Sequence, residues 1–452
     1  MNFKSLFDQH REKILHDYFT FLRFKSISTD PQYLADSRRC AEWLVHYLQE
    51  GGLHVESWET EKTPVIFASS LHAGPDKETL LLYCHYDVQP VDPLEEWTSP
   101  PFEPTLREGS IYARGAADNK GQCFYTLSAL LLFLKERKKF PINVKFIIEG
   151  EEESGSRGLA LLLKEKKEAL QADYLLIVDS GMEERDLPAI TLGARGLVCL
   201  QVTLQEALYD LHSGSLGGLA YNPNRALVEL LSSLHDKEGR VTIPHFYDQV
   251  TPLLPEEKEE ISFAFDEEKF QKMFGFQPTG MEKNVPPKEA GSIRPTLEIN
   301  GITGGYGGAG FKTVIPAKAS AKLSCRLVPH QKPLEIAHQV RDFLLKKTPI
   351  GMRMEVDILP GMGEGFRTSP HTQLAHLTAA CYTEVFGKPC QKILLGGTIP
   401  IAVELAKTSG AEMILIGVGL PDDHIHSPDE RFDMDRFEKG FLTICTLLNH
   451  FS

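Results

Sequence analysis

The feature that most constrains this chain is where its apolar runs stop. "TLLLYCHYDV" (79–88) ends in His85 and Asp87, and "INVKFIIEG" (142–150) runs into Glu149, Glu151, Glu152 and Glu153. "DYLLIVDSG" (173–181) closes on Asp179, and "AEMILIGVGLP" (411–421) leads into "DDHIHSPDE". Short apolar runs bounded by turn signals read as buried strands. Helical spacings lie among them, over 36–50 (stopping at Gly51–Gly52), 121–136 and about 157–170. Strands alternating with helices imply parallel pairing in an α/β sheet. In such a sheet the carboxyl ends of the strands share one edge, where ligands bind. Residues distant in sequence are therefore expected to meet there.

The residue types at those ends point to cations. Four glutamates within five residues repel one another unless something neutralises them. Imidazole with carboxylate suits Zn²⁺, Mn²⁺ or Co²⁺, whereas an all-carboxylate set would suit Mg²⁺ or Ca²⁺. No cysteine belongs to the set, which disfavours a structural zinc knot. His85 and Asp87 are two apart on an extended chain and face one side. Asp87 can therefore hold the ring nitrogen of His85 that is not on metal. Taken singly each residue has a plainer reading: a core histidine for His85, a helix N-cap for Asp118, a solvated turn for Glu151–Glu153, a turn residue for Asp179. Those readings do not explain the shared position.

The texture changes after about residue 192. "LGARGLVCLQVTLQ" (192–205), "IRPTLEINGIT" (293–303) and "AKASAKLSCRLVP" (317–329) alternate in period two. Helices are expected at 223–235 and 333–346, and another strand at 352–359. This is an α+β pattern, assigned to an inserted second domain over 193–396. Within it, 236–292 is an irregular excursion of the length usually reserved for function or mobility. From 397 the first texture returns with "GTIPIAVELAKTSG", a helix ending at Gly410. The expected fold is α/β. A discontinuous catalytic domain, 1–192 plus 397–452, carries a mainly parallel twisted sheet flanked by helices. The N-terminal stretch reads as an amphipathic helix with Leu6, Ile14, Leu15, Tyr18, Phe19 and Leu22 on one face.

Composition removes other classes. A net charge of −14, from 48 basic and 62 acidic residues, argues against nucleic acid as a partner. No apolar run approaches the length of a membrane span. The N-terminus is too charged for a secretory signal. The eight cysteines form no CxxC pair, so free thiols in a reducing cytoplasm are expected. "GGYGGAGFKT" (304–313) lacks the GK[ST] ending and following helix of a phosphate cradle. It reads as a turn, or as backbone lining a substrate site.

"HYDVQP" (85–90), "ARGAADNKGQ" (113–122), "EGEEESGS" (149–156), "DLHSGSLGG" (210–218) and "HSPDE" (426–430) together resemble a known set of signatures. They belong to the di-metal hydrolases that include acetylornithine deacetylase, succinyl-diaminopimelate desuccinylase, aminoacylase and carnosine dipeptidase. The resemblance spans nearly the whole chain in order. "KTVIPAKASAKLSCRLVP" (312–329) is most similar to the carnosine/cytosolic non-specific dipeptidase branch. The resemblance implies that Asp118 bridges two divalent ions, zinc or manganese with cobalt as a further choice. His85 and Asp179 complete one site, and Glu153 and His426 the other. Of the two histidines in "DDHIHS", His426 is chosen over His424 because Ser427 and Glu430 follow it as in the family. Glu152 is the implied general base and Asp87 orients His85. The Asp118–Asn119 peptide is implied to be cis. His212 would contact the scissile carbonyl oxygen, in several relatives from the neighbouring subunit of a dimer. Thr313 and Arg326 match positions that hold the substrate's carboxylate end, and Thr398 stands where serine is common. Asp429 replaces the family's frequent Asn, and Glu151, without a family role, is expected in solvent.

The implied chemistry is attack on an amide by a hydroxide shared between the metals. Glu152 takes the proton and delivers it to the leaving amine. The implied substrate is a dipeptide, and the insert is implied to be a lid or dimerisation domain, with a homodimer formed through it. The alternatives are an N-acyl-amino-acid deacylase or desuccinylase of the same chemistry, and a non-catalytic binding protein of the same fold. An intact Glu152 argues against the last, since a pure binder has no use for that base.

Overall fold

The computed structural model describes residues 2–451. Nine strands form the main sheet. From one edge the order is His54–Trp58, Val65–Ser70, Asn143–Glu149, Thr79–His85, Tyr174–Val178, Glu412–Ile416, Ala189–Ala194 and Phe366–Arg367, with Gln391–Leu395 also paired to Ala189–Ala194. The four central strands, from Asn143–Glu149 to Glu412–Ile416, are parallel to one another. Val65–Ser70 and Ala189–Ala194 flank them antiparallel, so the sheet is mixed rather than uniformly parallel.

The central strands are apolar throughout because both faces are covered. Leu80, Leu82 and Cys84 point into a core beneath the helices Phe3–Arg23, Lys120–Arg137 and Met434–His450, while Leu81 and Tyr83 join Leu159 and Leu405 in the core on the other face. The N-terminal helix buries Leu6, Phe7, Ile14, Tyr18, Phe21 and Leu22, with Leu15 and Phe19 packed only in part.

The expected strand 192–205 is two strands in two sheets. Ala189–Ala194 lies in the main sheet, and Gly196–Gln205 begins the second. That second sheet is antiparallel, ordered Thr296–Gly304, Lys318–Leu327, Gly196–Gln205, Arg353–Ile358. Val198, Leu200, Val202 and Leu204 alternate inward under the helices Pro223–Ser232 and Pro333–Lys346. The excursion 236–292 carries only short helices, Pro255–Glu260, Glu267–Phe274 and Pro287–Ser292.

The return to the main sheet comes earlier than 397. Phe366–Arg367 and Gln391–Leu395 both pair with Ala189–Ala194. Helix Gln373–Phe386 buries Leu374, Ala375, Cys381 and Tyr382 in the first core. The chain therefore rejoins the main sheet about thirty residues before 397, in strands of two and five residues that are too short to carry a period.

Candidate metal centre

The strand ends do converge. His85 closes its strand, Asp179 follows Val178, and Glu152–Ser154 forms a single turn after Glu149. Two groups of side chains can each hold an ion: His85, Asp118 and Asp179, and Asp118, Glu153 and His426. His85 Nε2 lies 3.1 Å from one oxygen of Asp118 and 3.9 Å from Asp179. His426 Nε2 lies 2.9 Å from the other oxygen of Asp118 and 3.2 Å from Glu153 Oε1. His424 is exposed, with Nδ1 3.3 Å from the Pro428 carbonyl. The structure thus groups His426, and not His424, with the acids.

Buried supports hold these groups in place. Asp87 accepts from the backbone N–H of Glu152 at 3.2 Å and of Glu153 at 3.0 Å, which fixes the glutamate turn. His85 Nδ1 faces the Asp87 carbonyl at 3.1 Å and its carboxylate at 3.3 Å. Nε2 is therefore the nitrogen turned toward Asp118. Asn119 donates to Asp179 at 2.8 Å and to the Val178 carbonyl at 2.9 Å, and Gln89 donates to Glu153 Oε2 at 2.8 Å. The Asp118–Asn119 peptide is cis, and helix Lys120–Arg137 has Asn119, not Asp118, at its N-cap position. Glu430 is buried and accepts from the N–H groups of Gly115, Ala117 and Asp118 and from Arg114. It ties the loop bearing His426 to the loop bearing Asp118. Asn119, Gln89 and Glu430 had no expected role. Their partners are mostly backbone or lie across the fold, and no local sequence pattern marks such contacts.

Two further residues sit differently from expectation. Glu151 is buried, accepting from Thr60 Oγ1 at 2.9 Å, because the turn folds back against the 60–63 loop. Asp429 accepts from both the N–H and the hydroxyl of Thr98, so it braces a loop.

The electrostatics favour cations. Burial pushes Glu152 well above the usual carboxylate range; His85 opposes the rise, and Asp179 and Glu153 add to it. Burial likewise drives Asp179 up to about 7. The carboxylates of Asp118, which accepts from its Nε2, and of Glu153 beside it raise His426 to about 10. Burial acts to lower the pKa of His85, but Asp118, Asp87 and Asp179 together leave it well above normal. Glu153 Oε1 is buried, and among the described residues its one polar neighbour is His426 Nε2 at 3.2 Å, outside good hydrogen-bond geometry. An orphaned anionic oxygen among imidazole and carboxylate ligands fits a divalent ion.

A cavity of about 510 Å³ opens over the centre, lined by Asp118, Glu152, Glu153, Asp179, Thr398 and His426 among others. Glu152 belongs to neither ligand group. Arg326 is not among the lining residues but donates to Thr398 Oγ1 at 2.8 Å, and that hydroxyl donates to the Arg195 carbonyl. His212 and Thr313 lie apart from this cavity. His212 ends one strand of the two-stranded ribbon Leu211–His212/Val314–Ile315 and Thr313 directly precedes the other; both residues are exposed, and the Ser213 N–H donates to the Thr313 carbonyl. The 305–312 loop is exposed and also lines none of the cavity.

Two ligand groups sharing one aspartate, at the carboxyl edge of an open α/β sheet, form a site with the residues to hold two metal ions. The chain belongs to Peptidase family M20/M25/M40, whose family model matches residues 81–450. It is 32% identical over 412 residues to a Beta-Ala-His dipeptidase of Rattus norvegicus, covering 90% of this chain and 84% of that one. Its fold is similar to an M20 family metallo-carboxypeptidase from Sulfolobus solfataricus, with a TM-score of 0.88, 32% identity and coverage of 97% of this chain and 99% of that one. It is also similar to the di-peptidase Dug1p from Saccharomyces cerevisiae, with a TM-score of 0.84, 26% identity and coverage of 99% and 97%.

Proposed function

We propose that this chain hydrolyses the amide bond of dipeptides, with two divalent ions, zinc or manganese, or cobalt in their place. The carrying observation is the placement of Glu152: half-buried, lining the same cavity as both ligand groups, and free of both. His85, Asp118 and Asp179 would hold one ion, and Asp118, Glu153 and His426 the other. When bound, the ions supply Lewis acidity, polarising the scissile carbonyl and making water a better nucleophile. Glu152 takes a proton from the attacking water and passes it to the leaving amine. Asp87 positions His85 and holds the turn that carries Glu152. Arg326 and Thr398, with Thr313, receive the substrate's carboxylate end. The Arg326–Thr398 contact and the place of Thr398 in the cavity support this assignment.

A homodimer through the inserted domain completes the reading. His212 is exposed and does not line the cavity over its own chain's ligand groups, which supports its acting as His212 of the partner subunit on the scissile carbonyl oxygen. The outer edge of Thr296–Gly304 is unpaired and presents Ile299 and Ile302. Val228 is exposed nearby on a helix of the same domain. An unpaired apolar edge is a ready surface for a second copy. We place the protein in the cytoplasm, supported by eight free cysteines. Among the described residues no helix is long and apolar enough to cross a membrane. With manganese or zinc loaded, a dipeptide panel should release free amino acids, and EDTA should abolish the release. Turnover of N-acyl amino acids alone, with every dipeptide inert, would overturn the dipeptidase reading.

A further inference from the structure

A second cavity, of about 580 Å³, lies toward the opposite end of helix Lys120–Arg137 from Asp118 and the other candidate ligands. From Lys120 to Leu134 the helix axis advances about 20 Å, so the two sites are separate. The floor is apolar: Ile14 from the first helix, Tyr47 from the second, and Leu131 and Leu134 from the third. Ser128, 2% exposed, lines it, and among the described residues its hydroxyl has no hydrogen-bond partner. A buried hydroxyl without a partner costs stability unless a ligand or water meets it.

The rim is cationic in a chain of net charge −14. Lys13, Lys135 and Lys138 line it with His10 and His72, against the one acid Glu50. Lys13 is neutralised by Asp17 at 2.6 Å. Lys135 has His10 Nε2 at 3.4 Å as its polar neighbour, and among the described residues neither Lys135 nor Lys138 forms an ion pair. Apolar lining with a few convergent polar groups, in a volume of this size, is the build of a small-molecule site.

We propose that this cavity binds an amphiphilic anion. Its carboxylate or phosphate head would pair with Lys135 and Lys138, its apolar chain would pack on Leu131, Leu134 and Tyr47, and Ser128 would donate to a polar atom along it. The metal-loaded full chain should bind decanoate or decyl phosphate, each below its micelle concentration, with one-to-one stoichiometry by calorimetry. The tighter of the two identifies the head. Acetate carries the charge without the chain and should not bind measurably. Lys135→Glu with Lys138→Glu changes two exposed residues, and should weaken binding about tenfold or more if two charge-assisted contacts are lost. Leu131→Trp fills the cavity and should abolish binding; circular dichroism confirms that each variant is folded. Absence of binding by both amphiphiles, or binding unchanged in the folded charge-reversed protein, would overturn the proposal.

Discussion

Glu149, the first acid of the cluster, allows the cost of burying charge there to be measured. Its Oε1 accepts from Tyr83 at 2.5 Å and from Ser156 at 2.9 Å, and its Oε2 is buried without a partner. Burial pushes the carboxyl up to about 8, with Asp87 adding to the rise and hydrogen bonds from Tyr83 and Ser156 opposing it. In the unfolded chain the group titrates near 4.5. Between those values the folded state keeps a proton that the unfolded state releases. The group's contribution to stability is therefore lost as pH rises through that window, by about 1.4 kcal/mol per pH unit. From about pH 5 to about pH 7.5 the loss sums to roughly 3 kcal/mol. Glu149→Gln keeps an acceptor for Tyr83 and Ser156 and cannot ionise. Urea unfolding of the chelator-treated variant and parent, at both pH values, isolates this one group. The stability difference, variant minus parent, should grow by roughly 3 kcal/mol toward the higher pH. A difference that stays constant, or shrinks, would refute the burial argument.

The remaining expectations concern the site. Glu152→Ala should keep both metals while kcat falls about 10²–10⁴-fold, the usual worth of a general base; Asp118→Ala should lose metal, and equal metal loss in the two would show that base and ligand are exchanged. Asp87→Ala removes two backbone clamps and the carboxylate beside His85, so metal affinity or activity should fall about 10–100-fold in a chelator titration. Arg326→Lys cannot pair bidentately with a carboxylate, so KM for dipeptides should rise about tenfold with kcat less affected; equal KM for the two proteins would remove Arg326 from substrate binding.

Much of the centre was legible because its chemistry sits where strands stop. His85, Asp179 and the glutamate turn each follow a run of apolar residues, and burial on both faces makes such runs conspicuous. His426 was separable from His424 only through the residues that follow it; in the structure His426 Nε2 lies 2.9 Å from Asp118 and His424 Nδ1 3.3 Å from the Pro428 carbonyl. The supports were less visible. The bonds of Asp87 to the N–H groups of Glu152 and Glu153, and those of Glu430 to the Asp118 loop, join backbone to side chain across the fold. Any residue supplies a backbone N–H, so nothing in the sequence marks the acceptor's target. Glu151 misled for a related reason, since an acid in a turn looks solvated until a distant Thr60 covers it. The early return near residue 366 was hidden by the brevity of its strands.

The central claim is that two ions share Asp118. Anomalous diffraction from crystals grown with manganese tests it most directly. Two peaks are expected, one among His85, Asp118 and Asp179 and one among Asp118, Glu153 and His426. One peak, or none with manganese in excess, would contradict the account.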